Sequence, residues 1–152
     1  MTYSPFAFAR SANMQILAAA KETQVDTIPD GFNNSLRWNA GHVLVIAESV
    51  LRHSDHYEQV IPSHYETFFH KGTSPADWTD EPPTVEEIAE LSSKQLASAK
   101  NLFENHADAP IAKAFELRGE AFSTVPDLIS FLSFHEGLHC NTMRMQYKKT
   151  KA

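Results

Sequence analysis

The sequence predicts an all-α protein, a four-helix bundle with a long crossover loop between the second and third helices. Three observations carry this expectation. Four segments repeat apolar residues at helical spacing, no stretch alternates apolar and polar residues over a useful length, and breaks rich in Gly, Pro or Asn separate the segments. Amphipathic helices of that kind bury their apolar stripes most simply against one another.

The first helix is expected from about Pro5 to Glu22, with Phe6, Ala9, Ile16, Leu17 and Ala20 available for a buried face. Asp30-Gly31-Phe32-Asn33-Asn34 is a turn cluster, after which Ser35 can cap a second helix reaching about His53. That helix is apolar on two sides. Trp38, His42, Ile46, Ser49 and His53 lie on one, and Ala40, Val43, Leu44, Ala47 and Leu51 on the other. Both need cover. The bundle covers one; the other is met either by a neighbouring subunit, giving a homodimer, or by the loop from Asp55 to Pro83 with Phe68, Phe69 and Trp78. This loop is too long for a hairpin, so it crosses over or carries a helical turn of its own.

Thr84-Val85-Glu86-Glu87 is a capping box opening a third helix to about Asn105, with Ile88, Leu91, Leu96, Ala99, Leu102 and Phe103 inside. A connection holding Pro110 and Gly119 leads to Ser123-Thr124-Val125-Pro126-Asp127, the start of the fourth helix. Pro is tolerated there because a first-turn N–H has no helical partner to lose.

A length of 152 residues suits a single domain spanning 1–152, and 42% hydrophobic with 21% charged residues is an ordinary globular composition. A net charge of −6, with basic residues clustered only at Lys148-Lys149-Thr150-Lys151, argues against nucleic acid as a partner. Cys140 is the sole cysteine, so no intrachain disulfide forms and a reducing, cytoplasmic setting is expected. Met1 to Met14 lacks the apolar core of a signal peptide, and no long apolar run predicts a membrane span.

On the fourth helix, His135-Glu136-Gly137-Leu138-His139 puts two imidazoles one turn apart, about 40° from each other around the axis. They fall on an expected core stripe with Leu128, Phe131, Leu132, Leu138 and Thr142, while Gly137, Asn141, Arg144 and Lys148 point away. Two buried imidazoles need a partner at each ring nitrogen, and one metal ion serves both. The same letters are the H-E-x-x-H signature of zinc metalloproteases, in which Glu136 would be the general base. That family takes a further ligand from downstream, and Cys140 to Ala152 contains no His, Asp or Glu. The remaining ligand is therefore expected upstream, and His42, mid-helix on the Trp38 and Ile46 side, is best placed.

Glu136, about 90° from the stripe centre, is a candidate base, but an exposed or interhelical carboxylate is the simpler expectation. Asn39 and Ser49 flank the His42 side and are placed to orient ligands or water. Trp38 is expected in the core and Cys140 as a packed, inert thiol. His53 and His56 have the spacing of a surface metal pair, or of cationic side chains that suit a helix C-terminus.

Trp38-x-x-x-His42 on the second helix with His135-x-x-x-His139 on the last resembles the DinB/YfiT superfamily of bacterial proteins. Phe68-Phe69-His70-Lys71-Gly72-Thr73-Ser74-Pro75 is similar to a loop that some members carry. The likeness runs from Met14 to Met145. It implies a four-helix bundle, often dimeric, with a divalent metal on three histidines, here His42, His135 and His139. Members include S-transferases using low-molecular-weight thiols, a thiol-dependent isomerase and proteins of unknown activity. Many follow the final His with Gly-Gln, whereas Cys140-Asn141 follows here.

The expectation is thus a metal-dependent enzyme, a thiol-dependent S-transferase or a hydrolase-like activity, acting on a small-molecule substrate. Three imidazoles leave coordination positions open, and zinc, nickel, manganese or iron suits them, with zinc or nickel favoured. The alternatives are a non-catalytic metal-binding or stress-response module, and a plain helical dimerisation protein with hydrogen-bonded core histidines.

Overall fold

The computed structural model describes residues 2–151. Its frame is four long helices: α1 (Ser4–Ala19), α3 (Leu36–Leu51), α5 (Val85–His106) and α6 (Val125–Thr150). The first predicted helix stops earlier than expected. The chain turns extended at Ala20 and restarts as the short α2 (Glu22–Val25). The predicted caps are present: Ser35 accepts from the Trp38 N–H, and Thr84 and Glu87 form the reciprocal box at α5. Thr124 and Asp127 do the same at α6, with Pro126 in its first turn.

Contacts along the helices fix their directions. Phe6 clusters with Leu128 and Leu132, and farther along both helices Leu17 clusters with Met143, so α1 and α6 run parallel. Asn39 meets Gln146 while His42 meets His139, so α3 is antiparallel to α6. Tyr3 bonds the Leu96 carbonyl and Arg10 reaches Ser92, so α5 is antiparallel to α1. It follows that α3 and α5, consecutive long helices, are parallel to each other. A parallel pair cannot be joined by a tight turn, because the chain must travel back along the bundle. This is why the Asp55 to Pro83 connection is long, and it holds α4 (Tyr65–Phe69) and a 3₁₀ turn (Pro75–Asp77).

This connection is also what covers the outer side of α3. Phe69 packs on Gly41 so closely that a Cβ there would lie 2.5 Å from its ring. Trp38 donates through Nε1 to Thr73 Oγ1 at 2.9 Å, and Trp38 is buried as expected.

The core has two apolar regions. One gathers Leu17, Leu36, Leu44, Phe69, Ile88 and Met143; the other gathers Phe6, Ala47, Leu51, Leu102, Leu128 and Leu132. Between them every long helix contributes a buried polar residue: Arg10 and Asn13 from α1, Glu48 from α3, Gln95 from α5 and Glu136 from α6. Gln95 Nε2 donates to Glu48 Oε2 at 2.8 Å and its Oε1 accepts from Arg10 at 2.9 Å, which joins the layer across the bundle. Tyr57 donates to the same Glu48 oxygen.

This layer turns α6 away from its expected orientation. The buried stripe is Val125, Leu128, Ile129, Leu132, Glu136, Met143 and Gln146, whereas Leu138 is 52% exposed. His135 and His139 therefore lie at the edge of the buried face, toward α3, rather than at its centre.

One element was not expected. β1 (Phe115–Leu117) and β2 (Glu120–Phe122) form an antiparallel hairpin with Phe115 opposite Phe122. Arg118 and Gly119 turn it with φ of 53° and 84°, the left-handed pair that a two-residue hairpin turn requires. Strands of three residues are too short to show alternation in sequence. Among the described residues, no helix is long and apolar enough to cross a membrane.

Candidate metal centre

His42 is brought to α6 by the antiparallel crossing of α3, and it meets both histidines there. Its ring centroid lies 5.3 Å from that of His135 and 4.7 Å from that of His139, and the last two are 4.6 Å apart. One ligand atom from each of the three falls within 4.8 Å of the others.

The rings are held by hydrogen bonds that settle which nitrogen is free. His42 Nδ1 lies 2.7 Å from the Phe69 carbonyl. A carbonyl only accepts, so Nδ1 carries the proton and Nε2 keeps its lone pair. His139 Nδ1 lies 2.7 Å from Asn39 Oδ1. The Asn39 amide is itself oriented, because its Nδ2 donates to the Ser35 carbonyl and to Gln146 Oε1. Its oxygen thus accepts from His139, and that ring too presents Nε2. Trp38 stacks on His42 at 4.5 Å and 13°.

His135 differs. Its Nδ1 is buried with no hydrogen-bond partner among the described residues. Buried polar atoms are seldom left so. An orphaned imidazole nitrogen beside two rings that present lone pairs is a donor set that fits a divalent cation.

Electrostatics keep the trio neutral. Burial pushes His135 down to about 3, helped by His139, His42 and the Arg10 charge. Burial and then His42 push His139 down to about 4. His42 is also lowered, chiefly by burial, although its bond to the Phe69 carbonyl opposes this. Neutral imidazoles at pH 7 are the form that coordinates metal.

Glu136 lies within the buried face of α6, toward α1. Arg10 Nε donates to its Oε1 at 2.7 Å and Asn13 Nδ2 to its Oε2 at 2.7 Å, and none of the three residues is exposed. Of the two simple expectations for this carboxylate, the interhelical one holds. Its partners, Arg10 and Asn13, were not among the expected site residues. A signal existed in the spacing of Phe6, Arg10, Asn13 and Leu17, which puts two polar residues on a buried helical stripe and so demands a buried counter-charge.

Asn39 orients His139 rather than His42, and Ser49 is exposed. His53 and His56 do not face one another. His53 Nδ1 bonds the Lys113 carbonyl, and the His56 ring stacks on His106 at 4.3 Å.

Fold and site together define a class: helical bundles with a cluster of three neutral histidines, compatible with a metal site, between two antiparallel long helices. The chain belongs to the DinB superfamily, whose family model matches residues 6–143. No curated protein matches it.

Proposed function

We propose that this chain is a metal-dependent enzyme acting on a small molecule, with His42, His135 and His139 as ligands of a divalent ion, zinc or nickel before manganese or iron. The reaction is transfer to the sulfur of a low-molecular-weight thiol, with a hydrolase-like activity as the other form. The observation that carries this reading is the tethering of His42 and His139 through Nδ1, which aims two Nε2 lone pairs where the unpartnered His135 also lies. A bound ion would supply Lewis acidity and hold a thiol as thiolate.

The protein's own part is orientation. The Phe69 carbonyl and Asn39 hold the rings, and Trp38 with α4 closes one side against water. Glu136, with both oxygens engaged, holds α6 in place rather than accepting a proton. That supports thiol transfer over hydrolysis, because a thiolate nucleophile needs no protein base. The same occupied carboxylate favours, as a second reading, a metal-binding module without turnover.

Elemental analysis of the purified protein and of His42→Ala and His139→Ala tests the ligands: metal in the first and loss in the others is expected. Conjugation assays with several low-molecular-weight thiols, with and without chelator, separate the readings. Chelator-sensitive turnover supports the enzyme, and none across varied electrophiles supports the module. The reading includes a homodimer, supported by exposed Phe134 and Leu138 on α6 and checked by sedimentation.

A further inference from the structure

We infer that Phe115, Phe122 and Phe131 form the specificity wall of the histidine centre, and that the small molecule bound there carries an aryl or similarly flat apolar group. This rests on the metal reading above and goes on to name the substrate class.

The three rings form one cluster, with centroids 5.4 Å apart for Phe115 and Phe122, 4.8 Å for Phe115 and Phe131, and 5.2 Å for Phe122 and Phe131. Phe131 continues the cluster into the site, its ring 6.2 Å from that of His135 and tilted only 21° from it. All three are partly exposed, although their neighbours Leu128 and Leu132 on α6 are buried. The hairpin is fastened where it stands. His53 holds the Lys113 carbonyl at 2.8 Å and meets Phe115 edge-on at 5.7 Å, tying the start of β1 to the end of α3.

The opposite flank of the trio has an aromatic ring too, but it is closed. Trp38 is 6% exposed, stacked on His42 and bonded to Thr73. The accessible aromatic surface beside the histidines is therefore on the Phe131 side. Aromatic rings gain from offset or edge-on contacts at about 4.5–7 Å, and a ligand ring held near His135 would fall in that range of Phe131.

Hydroxamates test this, since benzohydroxamic and acetohydroxamic acids offer the same metal-binding group with and without a ring. Titration calorimetry uses the zinc-loaded full chain, with Phe131→Ala and Phe131→Leu as variants, since Phe131 is the ring that lies beside His135. The expected result is roughly tenfold tighter binding of the benzo compound to the wild type, with the ratio falling to about threefold or less in both variants. Phe131→Leu keeps the bulk of the side chain and so gives a folded comparison if the alanine variant is unstable. Equal binding of the two compounds to the wild type, or a ratio unchanged by both substitutions, overturns the wall and leaves the metal centre standing. No zinc-dependent binding of either compound overturns both.

Discussion

Arg10 on α1 and Glu136 on α6 form an ion pair in which neither side chain is exposed, and Glu136 is the immediate neighbour of His135. Removing one partner leaves the other charged in the interior. Glu136→Ala should therefore lower stability by about 3–5 kcal/mol, read by urea unfolding. Replacing both, as Arg10→Met with Glu136→Leu, should restore much of that loss. If Glu136→Ala unfolds at the wild-type urea concentration, the pair does not hold α1 to α6.

Asn39 fixes His139 through a single acceptor oxygen. Asn39→Ala should weaken zinc binding by roughly 10–100-fold in competition with a chromophoric chelator. Asn39→Asp keeps the acceptor for His139 but loses the donor to the Ser35 carbonyl and Gln146, so its affinity should fall between those of the wild type and the alanine variant. Equal affinities for the alanine variant and the wild type would mean that His139 is held by something else.

Gly41 lets Phe69 lie against α3. Gly41→Ala must push the ring away, and with it the carbonyl that bonds His42. A loss of about 1–3 kcal/mol in stability is expected from overpacking, together with weaker metal binding. Unfolding curves and chelator competition measured on one preparation would show both, and a loss of stability with unaltered metal affinity would separate Phe69 packing from the site.

The metal-free protein should lose stability as the solution is acidified. His135 and His139 titrate at about 3 and about 4 when folded, below the 6.5 of an ordinary imidazole. Between those values the unfolded chain binds more protons, so stability falls as pH drops from about 6.5 toward the folded values. Urea midpoints at pH 7.5, 6.0 and 5.0 in chelator give the slope. His139→Asn should flatten it, and a variant slope equal to wild type would remove His139 from the account.

What the sequence reveals of this protein is what depends on neighbours along one helix. Ser35, Thr84 and Thr124 announce helix starts because capping is a matter of a few adjacent residues. His42, His135 and His139 are recognisable because each lies on an identifiable helical face, and the structure brings the three together. The rotation of α6 is different in kind. It follows from Arg10, 126 positions from Glu136, and nothing local in either helix names the other. The hairpin escapes for another reason: Phe115-Glu116-Leu117 and Glu120-Ala121-Phe122 are too brief to carry a period. His56, in the turn after α3, likewise finds its partner in His106, at the far end of α5.

The antiparallel crossing of α3 and α6 has a consequence for the order of events in synthesis. Asn39 and His139, which must meet, are 100 positions apart. A nascent chain that already contains His42, α4 and all of α5 has only one of the three imidazoles. The trio is completed only when α6 emerges, at the moment when Glu136 also finds Arg10. An ion held by all three would then bind only to chains in which α6 has docked against α3, and would report that this docking had taken place.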